Sequence, residues 1–160
     1  MREREALQLR AATIDDMRRV YAWRNNPWII SLGSSQQAIT WEEHREWFQR
    51  MLADTRHLLL IIESDGGVGA GTVRLDRTDE QRAVVTIYLL HEFTGRGLGV
   101  QALSDACLLS FTRWPIETIH AYIREDNRPS LSAFAKAGFV DTGHAPDCPA
   151  GHCEMVLHRP

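Results

Sequence analysis

VVTIYLLHEFTGRGLGVQALSDACLLSFTRW, residues 84–114, decides how the chain is read. The β-branched and aromatic run Val84 to Leu90 predicts a strand, and its near-continuous apolar character predicts burial on both faces. His91-Glu92-Phe93-Thr94 breaks that pattern, and Gly95, Gly97 and Gly99 follow at alternate positions. Val100, Leu103, Cys107, Phe111 and Trp114 then recur at helical spacing. A strand, a glycine loop and a helix in direct succession suit anion binding. Glycines let the backbone approach closely, N–H groups converge in the loop, and the helix dipole adds about half a positive charge. A plain strand-to-helix turn is the alternative.

Two other phosphate motifs fail on their own terms. The dinucleotide fingerprint G-x-G-x-x-G would need its third glycine at Val100, and an acidic residue about 20 positions on. Trp114 and Pro115 stand there instead. A P-loop needs Gly-Lys-Ser/Thr, which is absent from this loop. What remains is a phosphate cradle of another type.

The rest of the chain bounds the class. Its 160 residues, 44% hydrophobic and 24% charged, suit a single globular domain over residues 1–160 with ample core. A net charge of -3 and a pI near 6.1 argue against nucleic acid as the main partner. The first ten residues alternate charges and lack the apolar stretch of a signal peptide. The longest aliphatic run, Leu58 to Ile62, is too short to cross a bilayer, so no membrane partner is expected. Three cysteines without framework spacing suit a reducing cytoplasm.

In chain order, Leu7 to Arg10 alternates as a short strand. Thr13 and Asp16 resemble a capping box opening a helix that Asn25-Asn26-Pro27 ends. Residues 28–39 read as irregular. Thr40 and Glu43 form a second capping box, for a helix whose Trp47, Phe48, Met51 and Leu52 can reach a core. His57 to Glu63 and Gly71 to Arg77 pair about an Asp65-Gly66-Gly67 turn. After the central helix, Thr118 to Arg124 alternates again. Asp126 to Ser130 opens a short helix that Gly138 stops, and Phe139 to Thr142 and Cys153 to His158 form a last strand pair. The order is βαα, three antiparallel strands, then αβαββ, a mixed α/β pattern.

At this point the residues resemble a known family. TGRGLG at 94–99 is similar to the acetyl-CoA loop of the GNAT superfamily of N-acetyltransferases, written Q/R-x-x-G-x-G/A. NRPSLSAFAKAGF at 127–139 is similar to that superfamily's N-x-x-S/A-x-x-x-Y-x-K-x-G-F helix. The resemblance implies the GNAT fold: an α/β (α+β) domain with a mixed, mostly antiparallel sheet of about seven strands. Helices would cover both faces, and the fourth and fifth strands would splay apart.

It also implies roles. Acetyl-CoA is the expected cosubstrate. Leu89 and Leu90 would hold its pantetheine arm through backbone groups, and the N–H groups of Thr94, Gly95, Arg96, Gly97, Leu98 and Gly99 would take the pyrophosphate. Asn127 and Ser130 would contact the pantetheine and nucleotide side, with Phe134 alongside and Lys136 at the solvent edge. Thr94 replaces the usual Gln or Arg, which removes a side-chain donor and leaves the backbone donor. Phe134 replaces the tyrosine that many members use as a general acid. An N–H near Leu89 or Leu90 would be the oxyanion donor. Members that carry a catalytic glutamate on the central or following strand have Val84 and Tyr122 as counterparts here. Tyr88, His120 and Tyr122 are therefore the polar catalytic candidates.

A narrower resemblance lies in YAWRNNP at 21–27, ITWEEHREWF at 39–48 and IYLLHEFTGRGLG at 87–99. These are similar to aminosugar N-acetyltransferases of the pseudaminic-acid pathway, which acetylate the 4-amino group of a UDP-linked deoxy-aminosugar. The resemblance makes Arg24, Asn25, His44 and Trp47 acceptor-pocket candidates. Arg suits a diphosphate through bidentate hydrogen bonds, and Trp suits stacking on uracil or a sugar. Three classes stay open: direct acetyl transfer to such a sugar in a ternary complex, transfer to a protein N-terminus or another small amine, and a non-catalytic acyl-CoA-binding module. A homodimer is possible. His144, Cys148, His152 and Cys153 fall within ten residues. Their spacing is poor for zinc, and no metal is expected. The loop from Ala145 to Gly151 is expected to border the acceptor.

Overall fold

A computed structural model describes residues 6–33, 35–143 and 145–160. Its strands are β1 Gln8–Ala11, β2 His57–Ser64, β3 Val68–Arg77, β4 Arg82–Leu89, β5 Thr118–Arg124, β6 Val140–Gly143 and β7 His152–His158. Its helices are α1 Met17–Arg24, α2 Pro27–Leu32, α3 Trp41–Ala53, α4 Leu98–Arg113 and α5 Arg128–Lys136. The strands form one seven-stranded sheet in the order β1-β2-β3-β4-β5-β7-β6. Every neighbouring pair is antiparallel except β4 with β5, which is parallel. This is the GNAT architecture that the two motifs implied.

Burial shows which strand has two covered faces. Leu58, Leu60 and Ile62 enter a core with Ala102, Leu103, Ala106 and Phe111 of α4. Leu59 and Ile61 enter a second core with Met17, Val20, Phe48 and Met51. The doubly buried strand is therefore β2. The expectation that Val84 to Leu90 is buried on both faces is corrected. β4 buries Ala83 and Val85, while Thr86 is exposed and Val84 and Tyr88 are half-buried. The physical reason is coverage: the core formed with α1 and α3 takes its sheet residues from β2. Phe48, fully buried there, contributes roughly 2–3 kcal/mol by the usual transfer scale.

Local signals explain the element ends. The Glu43 N–H donates to Thr40 Oγ1 at 3.2 Å, completing the cap of α3. Thr13 and Asp16 form a capping box, but it caps a 3₁₀ turn at Ile14–Asp16, and α1 starts only at Met17. Asp16 also takes both Arg10 guanidinium nitrogens at 2.8 Å. The Arg10 hydrogen bonds are the main reason its carboxyl is lowered to about 2. Residues 28–39 are not wholly irregular. Asn26 Oδ1 accepts from the Trp28 N–H at 2.9 Å, and Pro27 sits in the first turn of α2. Proline there starts a helix as readily as it ends the preceding one.

The β4–β5 ladder is short. It pairs Arg82 with Thr118, Ala83 with Ile119 and Val84 with His120, then stops. From Val85 onward β4 stays with β3, and from Ala121 onward β5 stays with β7. A V-shaped gap opens between them, as the resemblance implied.

Candidate active site

At the open end of the gap, β4 runs into the glycine loop. Gly95 and Gly97 have φ of 75° and 78°, conformations that suit glycine, and an added Cβ at either would meet nothing within 4 Å. The space beside the loop at these two positions is thus open. The first helical bond of α4 runs from the Gln101 N–H to the Gly97 carbonyl at 3.2 Å, so the N–H groups of Leu98, Gly99 and Val100 form its first turn, without a backbone partner among the described residues. Thr94 is different. Its N–H and its hydroxyl both donate to the His91 carbonyl, at 3.1 and 2.6 Å. The expectation that Thr94 keeps a backbone donor for the pyrophosphate is corrected, because the 3₁₀ turn His91–Phe93 consumes it. The Arg96 guanidinium stands 5.4 Å from the Phe93 ring centroid.

The two amides expected as oxyanion donors, Leu89 and Leu90, face different ways. The Leu90 N–H donates to the Ala70 carbonyl at 2.8 Å and is committed to β3. Amide groups alternate sides along an antiparallel strand, so the Leu89 N–H faces the gap. Gly71 makes this edge possible. It pairs with Leu89, and a Cβ there would lie 2.1 Å from the Tyr88 carbonyl oxygen. α2 spans the same opening: Trp28 Nε1–H donates to the Leu89 carbonyl at 3.2 Å, and Arg124 of β5 donates to the Ser31 carbonyl at 2.8 Å.

On the face of the sheet opposite α4, two polar groups flank the gap. The first gathers Arg24, His44, Trp47, Arg74 and Tyr88. Arg24 Cζ lies 4.0 Å above the Trp47 ring centroid, and Arg74 Cζ lies 5.4 Å from it. Arg74 is paired with Asp76 at 2.9 Å. Arg24 has no carboxylate partner among the described residues, and burial pushes its guanidinium pKa down, with the Arg74 charge adding to the effect. The Tyr88 hydroxyl is buried without a hydrogen-bond partner among the described residues. Burial raises that phenol to about 12, and Thr72 with the two arginines opposes only part of the shift. His44 is wholly buried and reaches the surface of the gap only through its contact with Arg24. Asn25 is occupied elsewhere. Its amide donates to the Ile39 carbonyl at 2.9 Å and accepts the Ile39 N–H at 2.7 Å, tying residue 39 to the end of α1.

The second group lies across the gap. His120 is buried with Nδ1 3.3 Å from Glu154 Oε2 and Nε2 2.9 Å from Thr118 Oγ1. Thr142 donates to Glu154 Oε1 at 2.7 Å. Tyr122 stands opposite Glu154 in the β5–β7 register, so the phenol and the carboxylate lie on the same face of the sheet. Burial raises the Tyr122 phenol pKa, and Glu154 adds to it. Burial also pushes the Glu154 carboxyl up, but hydrogen bonds from Thr142, His120 and Tyr122 outweigh it and the net shift is down. Sequence reasoning missed Glu154. The family pattern puts a glutamate on the central or following strand, where Val84 and Tyr122 stand here; this carboxylate comes from β7, 34 residues from His120.

The acetyltransferase (GNAT) domain family matches residues 6–140. The chain belongs to that family. Proteins similar to it include the putative phosphinothricin acetyltransferase YwnH of Bacillus subtilis, 28% identical over 149 residues, or 88% of each chain. The uncharacterized protein MJ1062 of Methanocaldococcus jannaschii is 26% identical over 136 residues, 84% of this chain, which spans only 28% of that protein's length. Among solved structures, spermidine N-acetyltransferase from Vibrio cholerae in complex with CoA and spermine has a TM-score of 0.82 at 21% identity, covering 95% of each chain. Aminoglycoside acetyltransferase AAC(6')-Ib with ribostamycin and coenzyme A also has a TM-score of 0.82 at 21% identity, covering 96% of this chain and 94% of that one. At such identities the structural likeness concerns the fold.

Within the GNAT frame the α5 residues sort clearly. Asn127 caps the helix, its Oδ1 accepting the Ser130 N–H at 3.2 Å, and Lys136 is exposed. Phe134 is 3% exposed and packs edge-on against Phe139 with centroids 5.0 Å apart, so it belongs to the core. Of the four residues weighed as zinc ligands, His144 lies outside the described residues. Cys148 Sγ–H donates to the His152 carbonyl at 3.2 Å, and no metal-binding group of His, Cys, Asp or Glu occurs among the described residues. Likewise, no described helix is long and apolar enough to cross a membrane.

Proposed function

We propose that this acetyltransferase moves the acetyl group of acetyl-CoA to a primary amine of an acceptor that also carries an anionic group, and that the acceptor is a UDP-linked deoxy-aminosugar. The observation that carries this reading is Arg24, half-buried 4.0 Å over the Trp47 ring beside Arg74 and without a carboxylate partner among the described residues. A partly desolvated cation lacking a counter-ion is costly, and a ligand phosphate would offset that cost. A diphosphate supplies such an anion, and a nucleobase or sugar supplies a flat face for Trp47. Polyamines and aminoglycosides, the ligands of the similar structures, would bring positive charge to two arginines.

The cosubstrate fits the donor side. Its pyrophosphate meets the open Gly95–Gly97 cradle and the first-turn N–H groups of α4, where the helix dipole favours an anion. The pantetheine arm lies along the free edge of β4. The amine, entering from the opposite face, attacks the thioester carbonyl in the gap, and the Leu89 N–H stabilises the developing oxyanion. No tyrosine stands at position 134 to protonate the sulfur. A CoA thiol resembling a cysteine thiol has a pKa of about 8.5, so thiolate departure at pH 7 is uphill by only about 2 kcal/mol. Solvent can supply that proton afterwards.

The test is a thiol-release assay offering UDP-aminosugars, spermidine, aminoglycosides and N-terminal peptides. UDP-aminosugars should be turned over with the highest kcat/KM, and Arg24→Ala should raise their KM without changing acetyl-CoA affinity. Ready acetylation of peptides or polyamines with every UDP-aminosugar ignored would overturn the acceptor assignment.

A further inference from the structure

We infer that Tyr122 and Glu154 form a two-step proton relay for the attacking amine, with His120 and Thr142 as positioning residues. The inference deepens the acetyl-transfer reading and rests on it. Its first ground is topology. β4 and β5 separate just after Val84 and His120, so Tyr122 is the next β5 side chain on the acceptor face, where the strands have already parted. Glu154 lies opposite Tyr122 on β7. No spacing in the sequence brings these two together.

The second ground is hydrogen-bond direction. Thr142 donates to one Glu154 oxygen and the His120 Nδ1–H donates to the other, which makes the carboxylate an acceptor on both sides. The Thr118 hydroxyl stands 2.9 Å from His120 Nε2, so both ring nitrogens are engaged and the ring is held in place. Glu154 is the cross-strand neighbour of Tyr122 on the same face, so in the relay the Tyr122 hydroxyl gives its proton to Glu154 and its oxygen takes one from the side of the gap. Tyr122 therefore accepts an N–H from the acceptor and does not protonate the sulfur.

The proton balance is complete. Amine nitrogen attacks the carbonyl carbon, the C–N bond forms, and nitrogen becomes cationic. Its proton passes to the Tyr122 oxygen as the Tyr122 proton passes to Glu154. The oxyanion re-forms the carbonyl, the C–S bond breaks, and sulfur leaves with the electron pair as thiolate, later protonated by solvent. Glu154 returns its proton to solvent through Tyr122. The hydrogen bonds that keep Glu154 ionised also make it a modest base. That suits the N-protonated tetrahedral intermediate, whose nitrogen is far more acidic than a free ammonium. The other charged or titratable groups around His120 and Tyr122 are Arg82 of β4, Asp147 of the β6–β7 loop and His158 across from Thr118.

The experiment compares Tyr122→Phe, Glu154→Gln, Glu154→Asp and the double variant Tyr122→Phe/Glu154→Gln in steady-state kinetics with the acceptor that the panel identifies. Each of the first two should lower kcat by about 10²–10⁴-fold, with both KM values within threefold. Glu154→Asp should recover part of the loss, and the double variant should be no slower than the slower single. A carbon-13 NMR titration of the Tyr122 ring needs no acceptor. The phenol should titrate above its ordinary value in the wild type and move down in Glu154→Gln. Unchanged kcat in either single variant, or losses that multiply in the double, would overturn the relay, as would a Tyr122 titration indifferent to Glu154. If instead no amine is acetylated by the wild type while the NMR shift appears, it is the acetyl-transfer reading that fails. Tyr122→Phe leaves the buried carboxylate network in place, so the kinetic comparison survives even if Glu154→Gln folds poorly.

Discussion

Arg24 Nη1 donates to His44 Nδ1 at 3.0 Å, and this contact ties the end of α1 to α3. His44 Nε2–H donates to the Met17 carbonyl at 2.7 Å, which leaves Nδ1 as the lone-pair acceptor and the ring neutral. Burial, followed by the Arg24 charge, pushes the His44 pKa down. The imidazole thereby holds the arginine against Trp47.

Replacing His44 by Phe should release Arg24. We expect the acceptor KM to rise about tenfold, with acetyl-CoA affinity within twofold, as measured by steady-state kinetics and calorimetry. The pH dependence has a definite sign. Below its ordinary pKa of about 6.5 the histidine of the unfolded chain takes up a proton that the folded chain resists, so stability falls as pH drops through that value. Urea unfolding at pH 7.5 and 5.5 should show that loss in the wild type and a smaller one in His44→Phe.

Gly97→Val should remove acetyl-CoA binding. A β-branched residue is strained at φ 78°, and its side chain fills the open side of the loop. Calorimetry should give an affinity more than tenfold weaker. An unchanged affinity would mean that the pyrophosphate binds elsewhere.

Gly71→Ala should damage the β3–β4 edge. The new Cβ would sit 2.1 Å from the Tyr88 carbonyl oxygen and 3.0 Å from Leu89 Cα, both backbone atoms. Overpacking of this kind costs about 3 kcal/mol, or roughly 6–12 °C in Tm for a chain of this size. Gly99→Ala is the control, since its Cβ meets only Leu89 Cδ1 at 3.4 Å, and it should melt within a few degrees of the wild type.

Phe134→Tyr should leave kcat within about tenfold of the wild type. The ring is packed on Phe139 in the core, and no pocket is arranged around a phenol at that position. A large rise in kcat, with a new basic limb in the pH profile, would show that the missing tyrosine limits the reaction.

Residues at short separation make much of this protein legible in its sequence. Thr40 with Glu43, Asn127 with Ser130, and the glycines at 95 and 97 act over four positions or fewer, through backbone groups beside them. Hence the caps, the loop and the helix that follows can be read directly, and two such motifs together point to the family. What tertiary structure alone decided is which strand lies beside which. β7 inserts between β5 and β6, bringing Glu154 to His120 and Tyr122, and the packing of α1 and α3 over β2 lifts Arg24 and His44 toward Tyr88. Thr94 lost its donor to a turn built from its own neighbours, which composition does not reveal. Strand order depends on the total burial of two sheet faces, summed over the whole chain. No local window contains that sum, so the glycine loop was readable from its own residues and the carboxylate across the gap was not.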